Sequence, residues 1–505
     1  MANKKEGICH LVGAGPGDPG LLTLRGRDVL GRAEVVVYDN LVNPELLALA
    51  PATAELIYAG KKSGDHSMPQ DEINRLLVGK TKQGRRVVRL KGGDPFVFAR
   101  GAEEALALAG AGLPFEVVPG ISSAIAGPAA AGIPVTMRTM NTVLTIFTGH
   151  RDPAEDAAAE DYRRIGAAAG TKVLLMGMEY LDGITAAMIA GGTARQTPVA
   201  VIRQATCGDQ QTVTGTLAGI AASARKSGLS APAVVVVGEV VGLAPGLLAG
   251  LARPLAGRRL VVTRSRAQAS KLSAALRDLG ADVFEMPLIK REPPPDLREF
   301  AELVQDAHAY EWLVFTSANG VDVFFEIFDK LYDDAREIGG TRFAAVGAAT
   351  AQRLKERHYH VDLTAENFHA ASLAETFRRQ TGVENVKMLV VRPAETSSEL
   401  ASALSKMGAI VDQAIAYRTV PETDDRTRAR ERLVSEGADL VVFTSASTVR
   451  NFHALKLPLP SGVKFASIGP VTTRTLEECG ARPAVEAARH DVPGLVEAIQ
   501  RYFAR

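Results

Sequence analysis

The residues best placed to do chemistry sit in one stretch, Arg89-Leu90-Lys91-Gly92-Gly93-Asp94-Pro95-Phe96-Val97-Phe98. An apolar run, Val87-Val88-Arg89-Leu90, reads as a strand end that breaks at paired glycines, where the backbone can turn with positive φ and offer bare peptide groups to a ligand. Asp94-Pro95 reads as an N-cap with proline at the first helical position, restarting the chain as a helix through Arg100, Glu103 and Glu104. Open α/β sheets bind small ligands at such edges. Taken alone, Gly-Gly-Asp-Pro is equally an ordinary βα turn.

The elements around this stretch repeat its pattern. Gly7-Ile8-Cys9-His10-Leu11-Val12 runs as a strand into VGAGPGDPG and then a helix from Leu21; Glu34 to Tyr38 is a strand ending at Asp39; Glu55 to Tyr58 runs into Ala59-Gly60-Lys61-Lys62; and Phe115 to Val118 runs into Pro119-Gly120-Ile121-Ser122-Ser123. Regular alternation of this kind makes an α/β sheet whose ligand edge collects Pro16, Asp39, Gly92 to Asp94, Ser122 and Ser123. A dinucleotide fold competes for the first loop, with Asp39 as a ribose-binding acid. Asp18 stands where the third glycine of GxGxxG belongs, and its carboxylate would oppose a pyrophosphate, while Pro16 stiffens the loop.

Bulk properties narrow the classes. A chain of 505 residues exceeds one ordinary core, so two to four domains are expected. Lys plus Arg number 58 against 57 Asp plus Glu. That balance lacks the general positive excess of a nucleic-acid or membrane-surface binder. The three cysteines, Cys9, Cys207 and Cys479, lie too far apart for a zinc site or a disulfide framework. No metal is expected. The polar first residues are too short to form a secretory signal, and no apolar run reaches bilayer length, so a cytoplasmic protein is expected.

The motifs VGAGPGDPGLLTL, YDNLV, AGKK, RLKGGDPFVFARGAEE, PGISSA, GIPVTMR and TGH occur in one order. Together they resemble the tetrapyrrole methyltransferases, and most closely uroporphyrinogen-III C-methyltransferase, across roughly the first half of the chain. The resemblance implies two α/β lobes with S-adenosyl-L-methionine in the trough between them, held by Pro16, Gly92, Gly93, Asp94, Val97, Ser122 and Ser123, with Met176 and Ala205 from the second lobe. It also implies roles for Asp39 and Lys61 as proton acceptor and donor, and for Glu103, Arg100 and Arg138 at the macrocycle, and it leaves open which carboxylate takes the proton. Methyl transfer to an electron-rich pyrrole carbon is an in-line displacement, which chiefly requires alignment and a proton acceptor. The eight carboxylates of uroporphyrinogen make cations around the trough sensible. Read alone, Glu103 is a solvated first-turn acid and Lys61 a loop lysine.

A glycine- and proline-rich junction, Gly242 to Gly257, separates a second half that contains an internal repeat. Leu260-Val261-Val262-Thr263-Arg264 recurs as Leu389-Val390-Val391-Arg392, VFTSANGV at 314 to 321 recurs as VFTSASTV at 442 to 449, and Ala345 to Thr350 recurs as Ser467 to Thr472, about 125 residues apart. Each unit is a strand followed by Ser, Thr or Gly at a helix start, so each lobe's sheet edge can receive carboxylates. Two extended connectors, Pro287 to Pro293 and Ala416 to Pro421, read as paired strands or hinges. The pattern resembles uroporphyrinogen-III synthase over residues 258 to 505.

That resemblance implies two flavodoxin-like α/β lobes joined by a two-stranded ladder, with hydroxymethylbilane bound in a cleft. The implied reaction removes the terminal hydroxyl, closes the ring and inverts the last pyrrole through a spiro intermediate. It further implies that Tyr417 assists hydroxyl departure and that Arg264, Thr316, Ser317, Ser445 and Thr472 hold carboxylates. Read alone, Tyr417 is a packing aromatic, and Ser317 and Ser445 are helix caps.

The expected architecture is therefore α/β throughout: a two-lobed methylase at 1–245, a linker at 246–257 and a synthase at 258–505. The expected function is closure of hydroxymethylbilane to uroporphyrinogen III and its double methylation to precorrin-2, in a homodimer formed through the methyltransferase half. The competing reading is a methyltransferase for another substrate fused to a non-catalytic tetrapyrrole-sensing module.

Overall fold

The structure is a computed structural model that describes residues 7–60, 68–249, 253–264, 266–365 and 370–504. Five parallel strands, β1 (Ile8–Gly13), β2 (Val35–Tyr38), β3 (Glu55–Tyr58), β4 (Arg86–Lys91) and β5 (Phe115–Val118), form the first sheet in the order β3-β2-β4-β1-β5. Helices cover both faces. The sequence dictates this, because consecutive apolar residues serve opposite cores: Val12, Val36 and Val88 pack on one face, and Leu11, Val35, Val37 and Val87 on the other.

The second sheet is mixed: β6 (Leu144–Thr148), β7 (Thr171–Leu175), β8 (Pro198–Arg203), β9 (Gln211–Thr216) and β10 (Ala233–Val237) lie in the order β6-β7-β10-β8-β9. Only β6 and β7 pair in parallel; β10 runs antiparallel to β7 and β8, and β9 to β8.

After β11 (Arg259–Val262) and β12 (Asp282–Glu285) the chain builds a second compact unit, Pro287–Thr423, and then returns to the first, which comprises Met1–Arg264, Gln268–Met286 and Asp424–Arg505. The second unit has β13 (Ile289–Glu292), β14 (Trp312–Phe315), β15 (Arg342–Ala345), β16 (Leu363–Thr364), β17 (Lys387–Pro393) and β18 (Ile410–Pro421), ordered β13-β18-β17-β14-β15-β16. Its core is aromatic, with Phe315, Phe324, Phe325, Phe328 and Phe343 packed together. The two expected connectors do pair: β13 runs antiparallel to the end of β18, from Ile289 opposite Pro421 to Glu292 opposite Arg418. In the first unit, β19 (Leu440–Phe443), β20 (Lys464–Ser467) and β21 (Val485–Glu486) complete a parallel sheet ordered β12-β11-β19-β20-β21. No helix among the described residues is long and apolar enough to cross a membrane.

One local expectation fails. Asp94-Pro95 does not start a helix; residues 94–100 form a loop and the helix begins at Gly101. Phe98 and Arg100 both have positive φ, 53° and 60°, which no helix tolerates, and Gly101 N–H closes back onto Pro95 O at 3.0 Å.

Candidate active site

The strand ends of the first sheet bring three glycine loops together backbone to backbone. Gly15 N–H donates to Gly93 O (3.2 Å) and Gly93 N–H to Gly15 O (2.7 Å). A side chain on Gly13 would place its Cβ 2.4 Å from Gly120 Cα and 2.7 Å from Gly93 O, so only glycine fits. Gly93 itself holds φ +68°. Asp94, freed from the capping role, clamps two loops instead: Oδ1 accepts from Phe96 N–H (2.8 Å) and Oδ2 from Gly120 N–H (3.0 Å). Ser122 caps the helix Ser123–Ala130 by accepting from Ala124 N–H (3.3 Å). Asp18 caps a short turn through Gly20 N–H, which is where its carboxylate is spent.

From the second sheet, β7 runs into Met176 and β8 into Gln204, Ala205 and Thr206. Met176, Gln204, Thr206 and, from the first lobe, Phe98 all hold positive φ and all line one cavity of about 1340 Å³. Non-glycine residues in that region are strained and gather at functional sites. All nine residues expected to hold the cofactor, Pro16, Gly92, Gly93, Asp94, Val97, Ser122, Ser123, Met176 and Ala205, line this cavity, and so does Asp39. The volume exceeds the roughly 300–1,000 Å³ of an ordinary small-molecule site. There is space for more than one ligand.

Asp39 follows β2 with its carboxylate half-buried. Oδ1 accepts from Leu41 N–H (3.3 Å) and Oδ2 from the Arg89 guanidinium (3.3 Å). Behind it lies a charge cluster that sequence reasoning missed. Arg89 and Lys91, alternate residues of the central strand β4, point to the same buried face, and both donate to Glu104 Oε1, at 3.0 and 2.8 Å. Glu104 is 0% exposed, and Gln70 also donates to it (3.3 Å). Burial, followed by the neighbouring Arg89 charge, pushes the Lys91 ammonium below its ordinary pKa. The signal was present in the sequence: two cations at i and i+2 on a doubly covered strand require a buried anion.

The neighbouring Glu103 points elsewhere. It forms an exposed bidentate pair with Arg100 (2.9 and 2.8 Å), and neither residue lines the cavity. Arg138 is exposed and also lies off the cavity wall. Lys61 falls outside the described residues.

In the second half the sequence repeat is a geometric repeat. Ser317, at φ −154° and ψ 149°, caps the helix Ala318–Leu331 by accepting from Gly320 N–H; Ser445, at φ −162° and ψ 156°, caps the helix Ala446–Ala454 by accepting from Thr448 N–H. Tyr417 is 6% exposed, its hydroxyl donates to Ser317 Oγ (3.2 Å), and the Arg291 guanidinium stands 6.0 Å from its ring. Thr316 Oγ1 donates to Val391 O (3.3 Å). Thr472 is 3% exposed in the first turn of the helix Pro470–Glu478, so its hydroxyl is not presented at the surface. Arg264 is half-buried, and burial lowers its guanidinium from the ordinary value.

A glycine-built trough shared by two α/β lobes, followed by a duplicated strand-and-capped-helix unit, defines the class: residues 9–221 match the family model for tetrapyrrole (corrin/porphyrin) methylases, and residues 270–497 that for uroporphyrinogen-III synthase HemD. The chain is 34% identical over 482 residues to a porphyrin biosynthesis protein HemD of Ruminiclostridium josui, covering 95% of each chain. It belongs to this fused methylase–synthase family. Its first half is 50% identical over 237 residues to an S-adenosyl-L-methionine-dependent uroporphyrinogen III methyltransferase of Methanosarcina barkeri, covering 47% of this chain and 93% of the relative. The chain as a whole is also 39% identical over 357 residues to a uroporphyrinogen-III C-methyltransferase of Bacillus subtilis, covering 71% of this chain and 73% of that one.

Proposed function

We propose that the protein closes hydroxymethylbilane to uroporphyrinogen III with residues 258–505 and methylates that product twice, to precorrin-2, with residues 1–245. The observation that carries the methyl-transfer assignment is the single cavity onto which nine separately named residues and Asp39 open. The cavity suits S-adenosyl-L-methionine because Gly92 and Gly93 reach its wall without side chains, so the backbone lets such a ligand approach closely. Bound there, the cofactor supplies an electrophilic methyl group. Asp39, held by Arg89 and the Leu41 amide, is assigned to accept the proton that the pyrrole carbon sheds after methylation. Lys61 is assigned the proton-donor role by its motif.

For ring closure, Tyr417 is assigned to assist departure of the substrate's terminal hydroxyl; its O–H, donated here to Ser317 Oγ, would turn to that hydroxyl. Arg264, Thr316, Ser317, Ser445 and Thr472 are assigned to carboxylates; Thr472 would have to be uncovered to serve. Arg100, Glu103 and Arg138 keep the role at the macrocycle that their motifs imply, although none of the three lines the cavity. We further read the protein as cytoplasmic and as a homodimer through its first half, which light scattering of the purified chain tests. The direct test of the first activity is transfer of a labelled methyl group from S-adenosyl-L-methionine to supplied uroporphyrinogen III. Two labels per macrocycle are expected, and none would overturn the assignment.

A further inference from the structure

The wall of the methylation cavity is not made by the first half alone. From the second half, Arg259, Arg277, Asp282, Arg428, Arg432 and Glu436 line the same cavity within the same compact unit. Their docking is specific. Arg277 pairs with Glu45, Arg426 donates to Pro51 O (3.4 Å) and Ala52 O (3.2 Å), and Arg259 stands 3.6 Å from Asp209. A side chain at Gly208 would put its Cβ 1.6 Å from Asp282 Cβ, so that crossing admits glycine only.

Among the cations on this wall, Arg428 repeats a device seen elsewhere. Arg100 and Arg428 each precede a helix with left-handed backbone, φ 60° and 55°, and each forks its guanidinium onto the glutamate three residues later. In Arg100–Glu103 the two bonds are 2.9 and 2.8 Å; in Arg428–Glu431 they are 2.8 and 2.9 Å. Only the second arginine lines the cavity. Its charge also reaches Tyr38 and Tyr58, which flank Asp39: burial raises both phenols, and Arg428 opposes that rise.

Resting on the proposed function above, we propose that Arg428 binds a carboxylate of the tetrapyrrole during methylation, so that the second half completes the methylation site. A guanidinium matches a carboxylate in a bidentate fork. The Arg428–Glu431 pair is partly exposed, at 43% and 60%, and such pairs contribute little. Exchanging Glu431 for a substrate carboxylate therefore costs little, and the substrate offers eight.

The test uses the full-length protein with supplied uroporphyrinogen III and S-adenosyl-L-methionine, and separates KM from kcat. Arg428→Ala raises the KM for uroporphyrinogen III about tenfold, the order expected for one charged hydrogen-bonded contact, with kcat changed less than about twofold. Arg428→Glu raises it further and Arg428→Lys restores part. Glu431→Gln, which leaves Arg428 in place and frees its fork, lowers KM and keeps the proposal testable should the arginine variants misfold. Ring closure in the same samples reports whether the second half is folded. Unchanged KM in Arg428→Ala and Arg428→Glu samples that still close the ring would overturn the proposal, as would an unchanged or raised KM in Glu431→Gln. A wild type that does not methylate uroporphyrinogen III would overturn the function itself, and the proposal with it.

Discussion

The two halves build their sites from different materials. In the first, backbone makes the site: Gly13, Gly93 and Gly120 touch through main-chain atoms, and four non-glycine residues on the cavity wall accept left-handed backbone. In the second, the proposed site rests on side chains at helix starts, where Ser317 and Ser445 cap helices with nearly the same geometry in two lobes. Backbone sites tolerate almost no substitution, whereas a capping serine already serves the fold and announces nothing beyond that. The contrast explains why linked glycine motifs locate a cofactor trough while a serine repeat locates only an architecture.

The contrast can be broken at its strongest point first. Asp39→Ala should lower the methylation rate about 10²–10⁴-fold, the usual contribution of a positioned acid or base, while ring closure by the same sample continues at its original rate; labelled methyl transfer and isomer analysis measure both. Glu104→Ala strands two buried cations and should cost about 3–5 kcal/mol, whereas Glu103→Ala, one residue away and exposed, should stay within about 0.5 kcal/mol. Denaturant unfolding monitored in the first half separates them, and equal losses would show that the buried cluster is not a unit. Gly120→Ala would bring a Cβ to 2.2 Å from Gly93 O. It should cost about 1–3 kcal/mol and weaken S-adenosyl-L-methionine binding in calorimetry.

Ser317→Ala and Ser445→Ala should each lose about 1 kcal/mol, as cap removals do. Losses differing more than threefold in unfolding experiments would show that the repeat is not energetically equivalent. The smallest effect is a pH dependence. His10 is buried, and burial lowers its pKa against the opposing pull of Glu116. The folded state therefore binds fewer protons than the unfolded one near pH 6.5, and stability falls as pH drops through that value. His10→Asn should lose less stability than the wild type between pH 7.5 and 5.5, by less than about 1 kcal/mol, measured as the shift in thermal midpoint.

Much of the fold was legible because its strands are short apolar runs bounded by glycine, and both faces of a covered parallel sheet demand such runs. The ligand edge of the first sheet followed from where those runs stop. What escaped was set by three-dimensional pairing. Glu103 and Glu104 are neighbours in sequence but lie about 100° apart around a helix, so one is solvated and the other is the anion of a buried cluster. Asp94-Pro95 has the composition of a helix start, yet the left-handed turns at Phe98 and Arg100 delay the helix to Gly101. The wall contributed by Arg428 comes from a segment more than 300 residues downstream of Asp39, and no local motif marks it.

Two consecutive reactions on one chain leave one product to look for. Mass spectrometry and isomer analysis of a single incubation of the full-length protein with hydroxymethylbilane and S-adenosyl-L-methionine identify it. A dimethylated type III macrocycle is the expected product; an unmethylated type I macrocycle would contradict the account.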